Sequence, residues 1–282
     1  MKNIIVLSLP RSGSSLLANL LESSGYVNYT TDNSHLLNSS EFNKNGYFED
    51  TGITLLNDQL IRLSYGMDYS FLHSPSLDKF KNILVTNNSE YSYDNDDVFF
   101  PNDYSKNIKK YCGVDWDSWG LTRMLEGGKW YRCYDAYKVK NYTQILDKLT
   151  SIKNDVNSKS NLIIKDPRMA LVVSLYGFDN CKYVYIKREK DEILRSMRNH
   201  YGANLFSDNC IDETEYCSNF FNYKVKYQSF DYYYNEYTSI INYFLMDKEH
   251  LIIDYNEMLN KRSIINLNKF IGKPVNENLI KV

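Results

Sequence analysis

An apolar segment that runs into a polar loop and then into a helical leucine pattern opens this chain and constrains its fold most. Residues 4–9 (IIVLSL) begin with β-branched side chains, which predicts a buried strand. Residues 10–15 (PRSGSS) follow as a tight loop, and leucines then recur with helical spacing at positions 16, 17, 20 and 21. A strand, a loop and a helix in this order begin many α/β folds.

The loop carries the residue types that bind an anion. Gly13 permits a backbone conformation closed to other residues, and Ser12, Ser14 and Ser15 supply hydroxyl groups. We expect Ser14 or Ser15 to cap the helix, and Arg11 to add a fixed positive charge. An ordinary βα turn with a capped helix is the alternative interpretation. The loop is not a Walker A motif, because the GxxxxGK[ST] pattern is absent from it.

Further strands and helices alternate along the chain. Strands are predicted at residues 161–165, 182–187 and 251–255, and helices at 142–153, 189–201, within 213–248, and from about 264 to 272. A further helix is predicted after residues 46–50. This alternation predicts an α/β fold with a central, mostly parallel sheet and helices on both of its faces.

The 282 residues are interpreted as one domain, 1–282, with an insertion at residues 66–160. The insertion shows weak periodicity and contains all three tryptophans. Flexible linkers rarely carry so many aromatic side chains. We therefore expect residues 66–160 to form a largely helical or irregular cap on the substrate side.

Composition excludes several classes of protein. A net charge of −2 gives no basic field for nucleic acid, and no stretch approaches the roughly 20 apolar residues of a membrane span. The chain starts with its first strand, so no signal peptide is expected. Five scattered cysteines fit reduced thiols, and neither they nor the four histidines have metal-ligand spacing. We expect a cytoplasmic protein without a metal site or a membrane span.

Two more groups of polar residues follow predicted strands. Arg188 ends the strand at 182–187, and Ser196 lies eight residues later on the next helix. The run Lys165-Asp166-Pro167-Arg168 ends the strand at 161–165. Ligands of open α/β sheets bind at the carboxyl ends of strands, so these groups are expected to meet near the first loop. A surface Arg and an ordinary helix Ser are the alternative for Arg188 and Ser196.

Together these motifs resemble the sulfotransferases that use 3'-phosphoadenosine 5'-phosphosulfate (PAPS), in their bacterial and carbohydrate-type branch. Residues 10–17 resemble the 5'-phosphosulfate loop of that family, and Arg188 with Ser196 its 3'-phosphate element. Residues 165–168 resemble the stretch beside the transferred sulfuryl group, and residues 251–272 the closing strand and helix, with Tyr-Asn-Glu-Met where Tyr-Glu-Asp-Leu is usual. The resemblance implies a P-loop NTPase-like sulfotransferase fold, PAPS as cosubstrate and 3'-phosphoadenosine 5'-phosphate (PAP) as product.

The resemblance also implies roles for individual residues. Arg11 and Lys165 are expected to stabilise charge on the leaving nucleotide, while the loop holds the 5'-phosphate. Glu49 is the candidate general base, since carbohydrate-type members use a Glu. The alternative for Glu49 is a helix N-terminal acid that favours the helix dipole. His35 and Asp50 are the next candidates for the base.

Two other functions stay open at this point. A small-molecule kinase of the P-loop class would require ATP and Mg²⁺, although the Walker lysine is missing. A non-catalytic relative that binds a nucleotide or a glycan is the other alternative. The acceptor, whether a small molecule, a carbohydrate or a lipid, and the oligomeric state are not indicated by the sequence.

Overall fold

The structure is a computed structural model of the chain. It describes residues 2–31, 34, 36, 46–50, 52–54, 56, 57, 60, 142–201 and 230–280. His35 and residues 66–141 of the predicted cap lie outside the described residues.

Within the residues that the structure describes, five parallel strands form the central sheet. They are β1 (Asn3–Ser8), β2 (Val27–Asn28), β3 (Leu162–Lys165), β4 (Cys181–Lys187) and β5 (His250–Asp254). Their order across the sheet is β2-β3-β1-β4-β5, and every neighbouring pair is parallel. The predicted α/β class with a parallel sheet is therefore confirmed.

Helices cover both faces of this sheet. They are α1 (Ser14–Ser23), α2 (Tyr142–Ser158), α3 (Met169–Tyr176), α4 (Lys190–Tyr201), α5 (Phe230–Leu245), α6 (Tyr255–Leu259) and α7 (Ile264–Ile271), with a short 3-10 helix at Glu277–Leu279. Residues 52–54, 56, 57 and 60 are also helical. Helices α1, α6 and α7 pack on one face, while α2, α3, α4 and α5 pack on the other.

The apolar run of β1 explains why both faces are covered. Side chains alternate between the faces of a strand, so Ile5 and Leu7 enter one core and Ile4 and Val6 enter the other. All four are fully buried. Each contributes about 1.5–3 kcal/mol on burial, which makes the central strand the axis of the fold.

The structure contains elements that the sequence patterns do not indicate, among them strand β2 and helix α3. Strand β2 has only two residues, too few to show periodicity, and it is held by the N–H groups of Val27 and Tyr29, which donate to Asn161 O and Ile163 O at 2.8 Å. Helix α3 is buried on almost every side. It therefore lacks the polar face by which an amphipathic helix is recognised.

Helix α2 lies within the segment predicted to be an insertion. Its residues Leu149, Ile152 and Val156 are buried in the core on the α3 face. The side chain of Asn3 on β1 also donates to Val156 O at 2.7 Å. Residues 142–158 thus belong to the layer that covers the sheet, and the cap hypothesis concerns residues 66–141.

Candidate active site

The carboxyl ends of the central strands meet at one edge of the sheet. The loop at residues 9–13 follows β1, Lys165 ends β3, and Arg188 follows β4. Because β1 lies between β3 and β4, the loop has Lys165 on one side and Arg188 on the other. Helices α1 and α4 leave the adjacent strands β1 and β4 toward opposite faces, which is the arrangement at which open α/β sheets bind ligands.

The loop has an unusual backbone. Arg11 (φ 65°) and Gly13 (φ 91°) both lie in the left-handed region. Gly13 is the N-cap residue of α1, and no side chain of a described residue caps the helix. The expectation that Ser14 or Ser15 caps α1 is wrong, because both already lie in its first turn. The first N–H groups of a helix have no acceptor within it, so this end of α1 is open to an anion.

The ring of Tyr255 explains why position 13 is a glycine. A Cβ atom built on Gly13 would lie 2.3 Å from Cε2 of Tyr255. The same ring lies below Arg188, whose guanidinium carbon is 4.3 Å from the ring centroid. Tyr255 follows β5 directly, so this aromatic side chain joins the first loop to the residue after β4. The sequence patterns do not indicate this role for Tyr255.

We expect Gly13→Ala to destabilise the protein for two separate reasons. The left-handed backbone costs about 1–2 kcal/mol for an L-residue. The contact with Tyr255 adds about 1–3 kcal/mol of overpacking. Urea unfolding gives the free energy of unfolding of the variant.

Gly25 provides the matched control for this variant. Its φ is also 91°, but a Cβ there would meet only Lys273 Nζ, at 3.6 Å. Gly25→Ala should therefore show the backbone cost without the overpacking. Equal losses of stability in the two variants would show that the Tyr255 ring gives way at no cost.

Arg188, Arg11 and Ser196 form one side of the site. Arg188 Nη1 donates to Arg11 O at 2.9 Å, and Arg11 Nε donates to Ser196 Oγ at 3.1 Å. Arg188 Nε also pairs with Glu192 at 3.0 Å. The hydrogen bond from Arg188 lowers the pKa of Glu192. The structure thus joins the first loop to the two residues predicted to bind the 3'-phosphate.

Lys165 and Glu49 form the other side. Lys165 Nζ donates to Glu49 Oε1 at 2.5 Å, to Tyr47 O at 2.7 Å and to Ser15 Oγ at 3.2 Å. The side chains of Lys165 and Glu49 are 2% and 1% exposed. A single ammonium group therefore connects the end of β3, the start of α1 and the segment that carries Glu49.

A strained turn brings Glu49 to Lys165. Gly46 (φ 91°) and Phe48 (φ 56°) are both left-handed, and Phe48 packs against the core on the α1 face. This conformation is costly for a phenylalanine. Strained residues persist where the surrounding structure holds them, and here the turn directs both Tyr47 O and the Glu49 carboxylate at one cation.

Asp50 has the contacts of a helix cap. Its Oδ1 accepts from the N–H of Ile53 at 2.8 Å and from Thr31 Oγ1 at 3.1 Å. Its Oδ2 accepts from Thr31 N at 3.3 Å and from the Ser34 hydroxyl. The capping role considered for Glu49 therefore belongs to Asp50. These donors also make Asp50 a weaker candidate for the base, while His35 lies outside the described residues.

Burial raises the pKa of Glu49 above its ordinary value. The charge of Lys165 opposes this rise, Asp166 adds to it, and Arg168 opposes it. The oxygen Oε2 of Glu49 is buried and accepts no hydrogen bond from any described residue. A raised pKa and a free oxygen suit a carboxylate that accepts a proton.

The residues around the loop fit an anionic ligand. Ser12 is fully buried, and its hydroxyl has no partner within the described ranges. The open first turn of α1 and the cations Arg11, Lys165 and Arg188 surround the same loop. Hydroxyl and amide donors beside three cations are the chemistry that holds phosphate or sulfate groups.

In the part of the chain that the structure describes, no three His, Cys, Asp or Glu side chains are grouped as a metal site requires. No helix there is both long and apolar enough to cross a bilayer.

This parallel sheet, with a donor-rich loop and a buried Lys–Glu pair at its carboxyl edge, fits an enzyme of the α/β class. The family model described as "Sulfotransferase domain" matches residues 1–282, and the chain therefore belongs to the sulfotransferase family. No curated protein and no solved structure matches it in two further comparisons.

Proposed function

We propose that the protein transfers a sulfuryl group from PAPS to a hydroxyl or amine of an acceptor molecule. One observation supports this most strongly. The ammonium of Lys165 contacts both the base candidate Glu49 and Ser15, which lies in the first turn of α1 directly after the loop. A cation, a base and an anion site thus meet at one point, as sulfuryl transfer requires.

The nucleotide-binding role is assigned to the loop and to the Arg188 side. The backbone amides of Gly13, Ser14 and Ser15, with the Ser12 hydroxyl, are to hold the 5'-phosphate. Arg188 and Ser196 bind the 3'-phosphate in this proposal. The bond from Arg11 to Ser196 supports this division, because it joins the two phosphate-binding groups. The catalytic role expected for Arg11 stays a prediction.

When bound, PAPS supplies the electrophilic sulfuryl group and a stable leaving nucleotide. Glu49 takes the proton of the acceptor on its free oxygen Oε2. Lys165 uses its three donors on Glu49, Tyr47 and Ser15. The bond to Ser15 is the longest of the three, at 3.2 Å, so this donor of Lys165 is the one that would be available to stabilise charge on the leaving nucleotide.

A direct test compares cosubstrates. PAP should raise the melting temperature of the protein, and ATP with Mg²⁺ should not, because only PAP engages the Arg188 side. Stabilisation by ATP–Mg²⁺ alone would favour the kinase alternative. Radiolabelled transfer from PAPS to an acceptor library then separates an enzyme from a relative that only binds the nucleotide.

We expect PAP to bind at least about tenfold more tightly than 5'-AMP, because a charge-assisted contact is worth about 1.5–3 kcal/mol. Arg188→Ala should remove most of this difference and leave 5'-AMP binding nearly unchanged. Isothermal titration calorimetry with both nucleotides gives the two affinities for each variant.

Arg195→Ala is the control, because Arg195 lies on the same helix but is exposed. It should leave the preference for PAP intact. Equal affinity of the wild-type protein for PAP and 5'-AMP would contradict the assignment of Arg188 and Ser196.

The remaining parts of the proposal come from the sequence. We propose a small-molecule, carbohydrate or lipid acceptor that binds under a cap formed within residues 66–141. A cytoplasmic location stays a prediction from the sequence.

A further inference from the structure

A buried polar cluster lies beside the Glu49–Lys165 pair and has no part in the proposed chemistry. It consists of Asn57, Asp166, Arg168 and Tyr176, and is called the Asp166 cluster below. Arg168 Nη1 donates to both carboxylate oxygens of Asp166, at 2.9 and 3.0 Å. Both side chains of this ion pair are 0% exposed.

Asn57 connects the ion pair to a second segment. Its side-chain nitrogen donates to Asp166 Oδ2 at 3.1 Å, across 109 positions of the sequence. Its side-chain oxygen accepts from the Tyr176 hydroxyl of α3 at 2.7 Å. The amide of Asn57 is therefore held from both ends, and its orientation is fixed.

The connected segments are those that deliver the reactive pair. Asp166 directly follows Lys165. Asn57 lies on a helical segment whose cap is Asp50, and Asp50 is the residue directly after Glu49. The bond between Asn57 and Asp166 thus joins the segment of Glu49 to the end of β3, independently of the contact between Glu49 and Lys165.

The energetics favour a positioning role over a purely stabilising one. Taking two charges out of water costs about as much as their attraction returns, so a buried ion pair adds little net stability. The pair is fully buried next to another buried ion pair, an arrangement that apolar side chains would fill at lower cost.

We propose that the Asp166 cluster is the positioning group of the active site: it clamps the Glu49 segment onto the end of β3 and so holds the Glu49 carboxylate against Lys165. This inference rests on the proposed function, which makes Glu49 the general base. Its geometric part does not depend on the identity of either substrate.

The charges of the cluster act on Glu49 in opposite directions. Among the described residues, the charged groups that face Glu49 are Lys165, Asp166 and Arg168. Asp166 raises the pKa of Glu49 and Arg168 lowers it, the effect of Asp166 being the larger. Substitutions at the two positions therefore shift the titration of Glu49 with opposite signs, whereas a general loss of structure would shift it one way only.

The test follows the titration of Glu49 directly. Protein labelled at the glutamate side-chain carboxyl carbons is titrated by NMR, and the Glu49 signal is identified by its absence from Glu49→Gln. The measurement needs neither PAPS nor an acceptor.

Three variants give the expected pattern. Asp166→Asn removes a negative charge near Glu49, so the midpoint of the Glu49 titration moves to lower pH. Arg168→Gln moves it to higher pH. The double variant moves it to lower pH by less than Asp166→Asn does. Shifts of the same sign for the two single variants, or no shift, would overturn the proposal.

The double variant also guards against misfolding. A single substitution at either position removes the ion-pair partner of a buried charge, which is strongly destabilising, whereas the double variant removes both charges and avoids this penalty. Asp155→Asn is the control, because Asp155 pairs with Lys159 on the surface of α2. It should leave the midpoint of Glu49 unchanged.

The clamp is tested separately with Asn57→Ala, which keeps both charges. Loss of the hydrogen bond between Asn57 and Asp166 should let water reach Glu49. The midpoint of the Glu49 titration should then move toward the ordinary value for a Glu. Thr54→Val is the control on the same helical segment, since the Thr54 hydroxyl is buried and bonds to no described residue. An unchanged midpoint in Asn57→Ala would show that Asn57 does not hold the segment.

The outcomes separate this inference from the proposed function. One outcome is that the midpoint of the Glu49 titration shifts with the expected signs while Glu49→Gln still transfers sulfuryl groups at the wild-type rate. In that case the cluster positions a carboxylate that is not the base. If the signs fail while Glu49→Gln is inactive, the proposed function stands and the positioning role falls.

Discussion

Glu49→Gln is expected to lower the single-turnover rate of sulfuryl transfer by about 10²–10⁴. Gln keeps the shape of the side chain and its contact with Lys165, but it cannot accept a proton. The affinity for PAP should remain close to that of the wild-type protein, because Glu49 lies on the Lys165 side of the loop and not on the Arg188 side. The measurement is transfer at saturating PAPS, paired with calorimetric binding of PAP.

The pH dependence gives a second reading of the same variant. The base must be ionised, so the wild-type rate should rise with pH through the pKa of Glu49 in the folded protein. Burial raises that pKa, so the transfer rate should rise at a pH above the ordinary Glu pKa of about 4.3. Glu49→Gln should lack the rise. Glu249→Gln, which removes a surface carboxylate paired with Lys2 and Lys182, should keep it.

A wild-type rate in Glu49→Gln would place the base elsewhere. His35 and Asp50 would then be the next positions to substitute. The donors around Asp50 make His35 the first of these two.

Lys165→Met is expected to cost about 10²–10³ in the transfer rate, the usual effect of removing one donor that stabilises charge in a transition state. Met retains the length and most of the volume of the side chain. Since the lost interaction forms mainly in the transition state, the affinity for PAP should change much less than the rate. The same paired measurement of transfer and calorimetry applies.

Lys182→Met is the matched control for Lys165→Met. Lys182 also lies on a strand and pairs with a carboxylate, Glu249 at 2.8 Å, but that carboxylate is 45% exposed. This variant should transfer at close to the wild-type rate. A loss of PAP affinity in Lys165→Met as large as its loss of rate would mean that Lys165 binds the nucleotide without favouring the transition state.

The sequence predicts the centre of this fold well, because the centre is built from strong local patterns. The apolar runs of β1, β3 and β4 mark buried parallel strands, which read as nearly continuous hydrophobic segments. A similar run marks β5 at the edge of the sheet, where only Ile253 is buried. The polar residues at the ends of these strands, such as Lys165 and Arg188, lie at the carboxyl edge of the sheet. This was expected because parallel strands all end at the same edge. The loop at residues 9–13 is placed there by the same rule.

The contacts between distant segments could not be predicted in this way. The ring of Tyr255 against Gly13, and the bond from Asn57 to Asp166, depend on how elements far apart in sequence pack together. Local spacing does not encode such pairs. The sequence also could not decide which acid caps the helical segment after residue 50, because Glu49 and Asp50 are neighbours of the same charge. The left-handed turn at Phe48 directs Glu49 to Lys165 and leaves Asp50 as the cap.

The measurement that tests the central claim most directly is transfer of radiolabelled sulfuryl groups from PAPS to a library of hydroxyl and amine acceptors. The wild-type protein is compared with Glu49→Gln and Lys165→Met, after calorimetry has shown that all three bind PAP. The account predicts labelled product with the wild-type protein and at least about a hundredfold less with each variant. Labelled product formed at the same rate by all three proteins would contradict it.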